Sequence, residues 1–180
     1  MKNEGASKES RAVVIGLDMY LEARKYVSKY DYSPTDRTDN NEYLSISSLA
    51  PEGASDMADF AGASISIAVG YWRKANAIHQ WFVDNVQDGN DDCQYSYVDR
   101  AQLVELRDLC KEVLSVPAGV QFQDHAADLL PTSVGFFFGP YEYDEWYMEY
   151  IKKTIQIIDH VLTVFPENDY NWSFYYHSSW

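Results

Sequence analysis

Cysteine is scarce in this chain, and its scarcity excludes several classes of protein. Among 180 residues there are only two cysteines, Cys93 and Cys110, and they form no CxxC pair. A disulfide-stabilised scaffold needs more cysteines, and a structural zinc site needs cysteines or histidines at short, fixed spacings. The four histidines show no HxxxH or HExxH spacing. We therefore expect free thiols, no bound metal and no other cofactor.

Long apolar runs are missing as well. No segment approaches the roughly 20 apolar residues that a membrane-spanning helix requires. Residues 1–11 are polar, lack the apolar centre of a secretion signal, and are predicted to be a disordered leader. The chain has the length of one ordinary domain, which we place at residues 12–180. The sequence thus predicts a cytoplasmic protein with no membrane partner.

Basic residues are outnumbered, with 14 against 28 acidic residues and a net charge of −14. The excess lies in residues 38–180, which carry 22 acidic and 7 basic residues. Such a field repels phosphate backbones and attracts basic protein surfaces, so direct nucleic-acid binding is disfavoured. Solubility alone is the competing explanation. Two acidic segments supply the candidate contacts to a basic partner, namely Asp88, Asp91, Asp92, Glu142, Asp144 and Glu145.

Aromatic residues, by contrast, are abundant, with 15 Tyr, 8 Phe and 5 Trp. Each ring buries a large apolar area, while Tyr and Trp keep a polar atom for hydrogen bonding. Such side chains therefore suit contact surfaces as well as cores. This composition predicts a folded protein with enough aromatic side chains for a core and for a contact surface.

The spacing of apolar residues predicts three long helices, at residues 68–86, 99–115 and 144–164. In each of them apolar side chains recur at three- and four-residue steps, which places them on one helical face. Asp99 followed by Gln102 matches a capping box, so the second helix is expected to begin there.

Alternating apolar and polar residues predict strands near 13–22 and 172–179, although the first segment also fits a helical stripe. A short strand at 43–49 and a short amphipathic segment at 122–129 are further expectations. Strands at both ends of a helical middle predict an α+β fold. We expect three long helices packed on a small antiparallel sheet that includes the N- and C-terminal strands.

A candidate site lies on the first predicted helix. On a helical wheel its apolar residues form one arc that includes His79, with Asn76 at the edge and Arg73 opposite. A histidine among aromatic rings could contact a ligand or act as a general base. The competing interpretation is a buried histidine that is hydrogen-bonded to a carbonyl or a carboxylate. The candidate ligand- or partner-binding residues are Trp72, Arg73, Asn76, His79 and Trp81.

The sequence carries no signature of catalysis. It contains no GxSxG nucleophile elbow, no Cys–His signature and no GxxxxGK[ST] phosphate loop. We therefore assign no catalytic residue and expect a protein without enzymatic activity.

Eight short segments between residues 16 and 180 form a distinctive set. They are GLDMYL at 16–21, YWRKAN at 71–76, IH at 78–79, WFV at 81–83, LPT at 130–132, GFFFG at 135–139, YDEWY at 143–147 and FYYHSSW at 174–180. With these segments the chain resembles a family of small proteins encoded in bacteriophage and prophage genomes. The resemblance implies a phage accessory protein, carries over no catalytic residue, and does not extend to residues 1–15.

Two functions are compatible with these observations. The first is a non-enzymatic inhibitor or adaptor that binds a host protein with a basic surface, for example one of antiviral defence, in the manner of anti-CRISPR proteins. The acidic charge and the many aromatic residues favour it. The alternative is a binding protein for a nucleotide or base, with or without hydrolysis, whose pocket is lined by Trp72, Asn76 and His79.

Overall fold

The computed structural model of the chain describes residues 16–32, 37–50, 62–135 and 139–180. The predicted leader at residues 1–11 lies outside these ranges. The elements are, in chain order, β1 (Asp18–Ser28), β2 (Tyr30–Tyr32), β3 (Arg37–Asp39), α1 (Asn41–Ser47), β4 (Gly62–Arg73), α2 (Asn76–Val86), β5 (Ser96–Val98), α3 (Arg100–Val113), α4 (Val120–Leu129), α5 (Glu145–Val164) and β6 (Trp172–Ser179).

Four strands form an antiparallel sheet in the order β4-β1-β6-β5. β1 is an interior strand of this sheet. Its first residue, Asp18, is paired with Arg73 of β4 on one side and with Ser179 of β6 on the other. The predicted α+β class, with an antiparallel sheet that contains the N- and C-terminal strands, is confirmed. β4 lies at the edge of this sheet, and within the described ranges no strand pairs with its outer side.

Alternation along the strands separates the sheet into two faces. The inward face of β1 consists of apolar residues that are fully buried: Met19, Leu21 and Ala23. On β6, Phe174 and Tyr176 occupy the same inward face. Buried side chains from α2, α3, α4 and α5 join them in one core cluster. The opposite face of the sheet carries polar and aromatic residues that are partly exposed.

The prediction of three long helices is wrong in number, since the described residues contain five helices of 7 to 20 residues. The predicted helix at 68–86 is helical only from Asn76, because residues 68–73 extend β4. Pairing with β1 supplies the backbone hydrogen bonds of this segment. Lys74 then adopts a left-handed backbone with φ of 55°, which ends the strand before α2 begins.

The short strand predicted at 43–49 is also wrong, because most of this segment belongs to α1. Asn40 caps this helix, and its side-chain oxygen accepts hydrogen bonds from the backbone N–H groups of Glu42 and Tyr43. Asparagine is among the preferred N-cap residues, since its side chain satisfies donors that the first turn leaves free. This cap, rather than the apolar pattern, was the informative signal.

The later elements match their predictions closely. α3 begins after Asp99, whose capping box with Gln102 is present, and α5 is capped by Asp144. α4 covers the predicted amphipathic segment, and β6 coincides with the predicted terminal strand. β1 begins at Asp18 and continues to Ser28, further along the chain than predicted. Among the described residues, no helix is long and apolar enough to cross a membrane.

Candidate functional site

Three of the predicted ligand-binding residues, Asn76, His79 and Trp81, lie on α2 and are buried. His79 is fully buried, and both of its ring nitrogens have partners. Its Nδ1 lies 2.7 Å from the hydroxyl of Tyr176, and its Nε2 lies 3.0 Å from Oδ2 of Asp91. The other carboxylate oxygen of Asp91 accepts a hydrogen bond of 3.1 Å from the indole N–H of Trp180.

Both ring nitrogens of His79 are engaged in hydrogen bonds within the protein. Each ring nitrogen of His79 can donate or accept a hydrogen bond according to the tautomer, and the hydroxyl of Tyr176 and the carboxylate of Asp91 supply one partner for each. Burial raises the pKa of Tyr176 well above its usual range, which keeps that hydroxyl protonated. A ring that is fully buried and bonded on both sides has no direct access to a ligand. The network therefore joins α2, the loop after it and β6.

The remaining two candidates, Trp72 and Arg73, lie at the end of β4 and point to opposite faces of the sheet. Trp72 is directed inward, and its indole N–H donates a hydrogen bond of 2.9 Å to the hydroxyl of Thr154 on α5. Arg73 is exposed. Both residues line a groove of about 480 Å³ between β4 and α5. The structure thus separates these two from Asn76, His79 and Trp81.

One face of α5 forms the other wall of this groove. Trp146, Glu149, Lys153 and Gln156 recur at three- and four-residue steps and therefore lie along one stripe of the helix. Lys152 and Tyr150 complete the lining. We call this feature, between the end of β4 and the Trp146 stripe of α5, the β4–α5 groove.

The basic side chains of the β4–α5 groove are unpaired. Arg73, Lys152 and Lys153 make no ion pair with any carboxylate in the described part of the chain. Lys153 instead places its ammonium group 5.4 Å from the centre of the Tyr71 ring. Glu149 is the single acidic residue among the described lining residues. The groove is therefore a locally basic site on an acidic protein.

Several other basic side chains in the described ranges have partners. Arg107 and Lys111 on α3 both approach the carboxylate of Asp159 on α5. Arg100 donates hydrogen bonds to the backbone carbonyls of Leu162 and Phe165 near the end of α5. These contacts fasten α3 to α5, so these cations have a structural role that those of the groove lack.

The acidic candidates do not form one set of free carboxylates. Asp91 is held by His79 and Trp180, and Asp92 and Asp144 accept hydrogen bonds from backbone N–H groups. Glu142 accepts one from the backbone of the residue before it. The two that remain, Asp88 and Glu145, are exposed.

A row of aromatic rings crosses the outward face of the sheet. Tyr71 of β4 lies 5.4 Å from Tyr20 of β1, which stacks on His177 of β6 at 4.8 Å. Tyr95, which precedes β5, continues the row at 4.1 Å from His177. Tyr97 and Tyr175 lie beside it, with ring centres 6.0 Å apart. We call these six residues the tyrosine face.

Glu22 lies in the middle of the tyrosine face. Its carboxylate accepts hydrogen bonds from the hydroxyl of Ser66 at 2.7 Å and from the guanidinium of Arg24 at 2.9 and 3.0 Å. Burial alone would raise the pKa of Glu22, but these hydrogen bonds and the nearby positive charge outweigh it and lower the pKa. Arg24 also stacks on Tyr95, 4.1 Å from the ring centre. The carboxylate in the middle of the face is thus hydrogen-bonded and paired with a cation.

Metal sites and similarity to known proteins give no indication of a function. Within the described ranges, no group of three or more His, Cys, Asp and Glu side chains is arranged to hold a metal ion. No family model, curated protein or solved structure matches the chain. The tyrosine face and the β4–α5 groove are the two candidate functional sites.

Sequence reasoning missed most residues of both features. Trp146, Lys152 and Lys153 lie outside the apolar stripe that predicts α5, so that pattern does not mark them. One available signal was the rarity of basic residues after residue 37, where four of only seven form two adjacent pairs, at 73–74 and 152–153. For the tyrosine face, the alternation of Tyr175 and His177 with buried residues along β6 was a second signal.

Proposed function

We propose that this protein is a non-enzymatic binding protein that docks a basic surface of a protein partner on its tyrosine face. The row of rings across the sheet is the observation that carries this proposal. Tyr71, Tyr95 and Tyr97 keep 40 to 57% of their surface exposed, although burial of such rings is favourable. Tyrosine is enriched in protein interfaces, because it supplies a large contact area with few rotatable bonds.

Charge supports a basic partner. Arg24 already pairs with the carboxylate of Glu22 on the face, so the attraction of a basic partner comes from the whole chain, which has a net charge of −14. A field of this sign accelerates encounters with positively charged proteins and slows those with negatively charged ones. The resemblance to phage-encoded proteins motivates a partner from a bacterial host, encountered in its cytoplasm. An inhibitor or adaptor of an antiviral system is the role that we propose.

The test compares two tyrosines of similar exposure. Tyr97→Ser removes a ring from the tyrosine face, whereas Tyr141→Ser removes one from the loop before α5, where 44% of the residue is exposed. Each protein is immobilised and exposed to bacterial lysate, and bound proteins are identified by mass spectrometry. We expect wild type and Tyr141→Ser to retain the same basic protein, and Tyr97→Ser to lose most of it.

Salt provides the second measurement on that captured protein. Its association rate should fall steeply between about 50 and 500 mM salt, because the Debye length shrinks from above 10 Å to a few Å. The proposal fails if no protein is retained in a manner that depends on Tyr97. An association rate that does not change with salt would refute the basic character of the partner.

A further inference from the structure

The β4–α5 groove holds three basic side chains that no described carboxylate of the protein neutralises. Arg73, Lys152 and Lys153 line it without an ion pair among the described carboxylates, in a chain with twice as many acidic as basic residues. Like charges at close range repel each other, so gathering three cations costs free energy unless an anion joins them. An arginine beside lysines is the combination that proteins use to bind phosphate groups.

The groove also offers flat apolar surface next to these cations. Trp146 and Trp72 both line it, and Trp146 has 51% of its surface exposed. Aromatic side chains of this kind stack on nucleobases. The volume of about 480 Å³ lies within the range of small-ligand pockets.

We propose that the β4–α5 groove binds a nucleotide. Its phosphate groups contact Arg73, Lys152 and Lys153, and its base stacks on Trp146. Glu149 and Gln156 line the same groove and can accept hydrogen bonds from ribose hydroxyls or exocyclic amino groups. The groove adjoins the tyrosine face, since the ammonium group of Lys153 lies 5.4 Å from the centre of the Tyr71 ring, but Tyr97→Ser, which tests the face, alters no groove residue.

The position of the groove differs from the pocket that the sequence predicts. Trp72 and Arg73 belong to both, but Asn76 and His79 are buried in the core and do not line the groove. Their places are taken by residues of α5. A ligand in the groove would consequently bridge the edge of the sheet and the longest helix, and should stabilise their contact.

The experiment uses defined probes on the full chain. Four nucleoside diphosphates, their nucleosides and pyrophosphate are titrated separately, and binding is followed by tryptophan fluorescence and calorimetry. We expect at least one diphosphate to bind about tenfold more tightly than pyrophosphate, because stacking adds to the phosphate contacts. The matching nucleoside should bind weakly. Pyrophosphate that binds as tightly as every nucleotide would overturn the proposal.

Two charge-matched double variants locate the site. Lys152→Gln with Lys153→Gln should weaken nucleotide binding about tenfold or more, whereas Lys25→Gln with Lys111→Gln removes the same charge elsewhere and should leave it unchanged. The control pair loses the ion pairs of Lys25 with Glu42 and of Lys111 with Asp159, which are worth little where they are partly exposed, and circular dichroism checks that both double variants fold. Trp146→Ala should reduce the affinity for the nucleotide to that for pyrophosphate. Equal losses in both double variants would show general electrostatic attraction and refute a site in the groove.

Discussion

At the scale of single residues, His79 shows how a candidate catalytic group can serve the fold. The sequence placed it correctly in the apolar stripe of its helix, but its partners lie 12 and 97 positions further along the chain. No local pattern connects residues at those separations. The tertiary structure alone joins Asp91, Tyr176 and Trp180 to the ring.

Removal of the His79 ring tests this structural role. His79→Ala leaves a cavity and strands the buried hydroxyl of Tyr176, so it should lower the free energy of unfolding by roughly 2–4 kcal/mol. His79→Gln keeps much of the volume and part of the hydrogen bonding and should lose less. Urea unfolding of both variants measures the difference, with exposed His160→Ala as a control near wild type. A stable Gln variant that no longer binds the partner would instead give His79 a functional role.

At the scale of elements, the boundary between β4 and α2 explains the largest error of the sequence prediction. Tyr71 and Trp72 fit a helical stripe with the residues of α2, so the pattern is compatible with one long helix. The strand forms because β1 offers a partner over the whole of β4. That pairing is non-local, whereas α3 and α5 carry their own caps and were therefore predictable from local sequence.

Gly70 allows β4 and α5 to approach each other, and a larger residue there should separate them. A Cβ atom at this position would lie 2.8 Å from Cγ2 of Ile157 and 3.1 Å from Cβ of Leu21. Gly70→Ala should therefore lower the free energy of unfolding by about 1–3 kcal/mol, as overpacked cores do. Thermal unfolding provides the measurement, and Ser64→Ala on the exposed part of β4 is the control.

A double variant separates this clash from other causes. If Ile157 is the obstacle, the combined Gly70→Ala and Ile157→Ala protein should lose less stability than the sum of the two single variants. Strict additivity would contradict the proposed contact. A change in the spacing of β4 and α5 would also alter the β4–α5 groove, since the same two elements form its walls.

At the scale of the whole molecule, the net charge could be predicted from the sequence, but the place where basic side chains gather could not. The excess of acidic residues follows from the sequence, as does the pairing of the N- and C-terminal strands. The gathering of unpaired cations does not, because Arg73 and Lys153 are 80 positions apart in the chain. Their proximity depends on the packing of α5 against the edge of the sheet.

Within the described ranges no strand pairs with the outer edge of β4, which makes the colloidal behaviour of the protein dependent on its charge. Residues 62–72 contain no charged side chain, and unpaired backbone groups of an edge strand are templates for pairing with another molecule. At neutral pH a net charge of −14 keeps copies apart. As the pH falls towards the isoelectric point near 4.5, that repulsion disappears, and we expect β-rich aggregates to form.

Light scattering and thioflavin fluorescence between pH 7 and pH 4.5 measure this aggregation. Ile67→Lys places a charge on the β4 edge and should delay it, whereas Leu44→Lys adds the same charge on α1, at similar exposure, and should not. Equal protection by both variants would mean that net charge alone controls aggregation. If only Ile67→Lys protects, pairing of molecules through β4 limits the pH and the concentration at which this protein can be stored and crystallised.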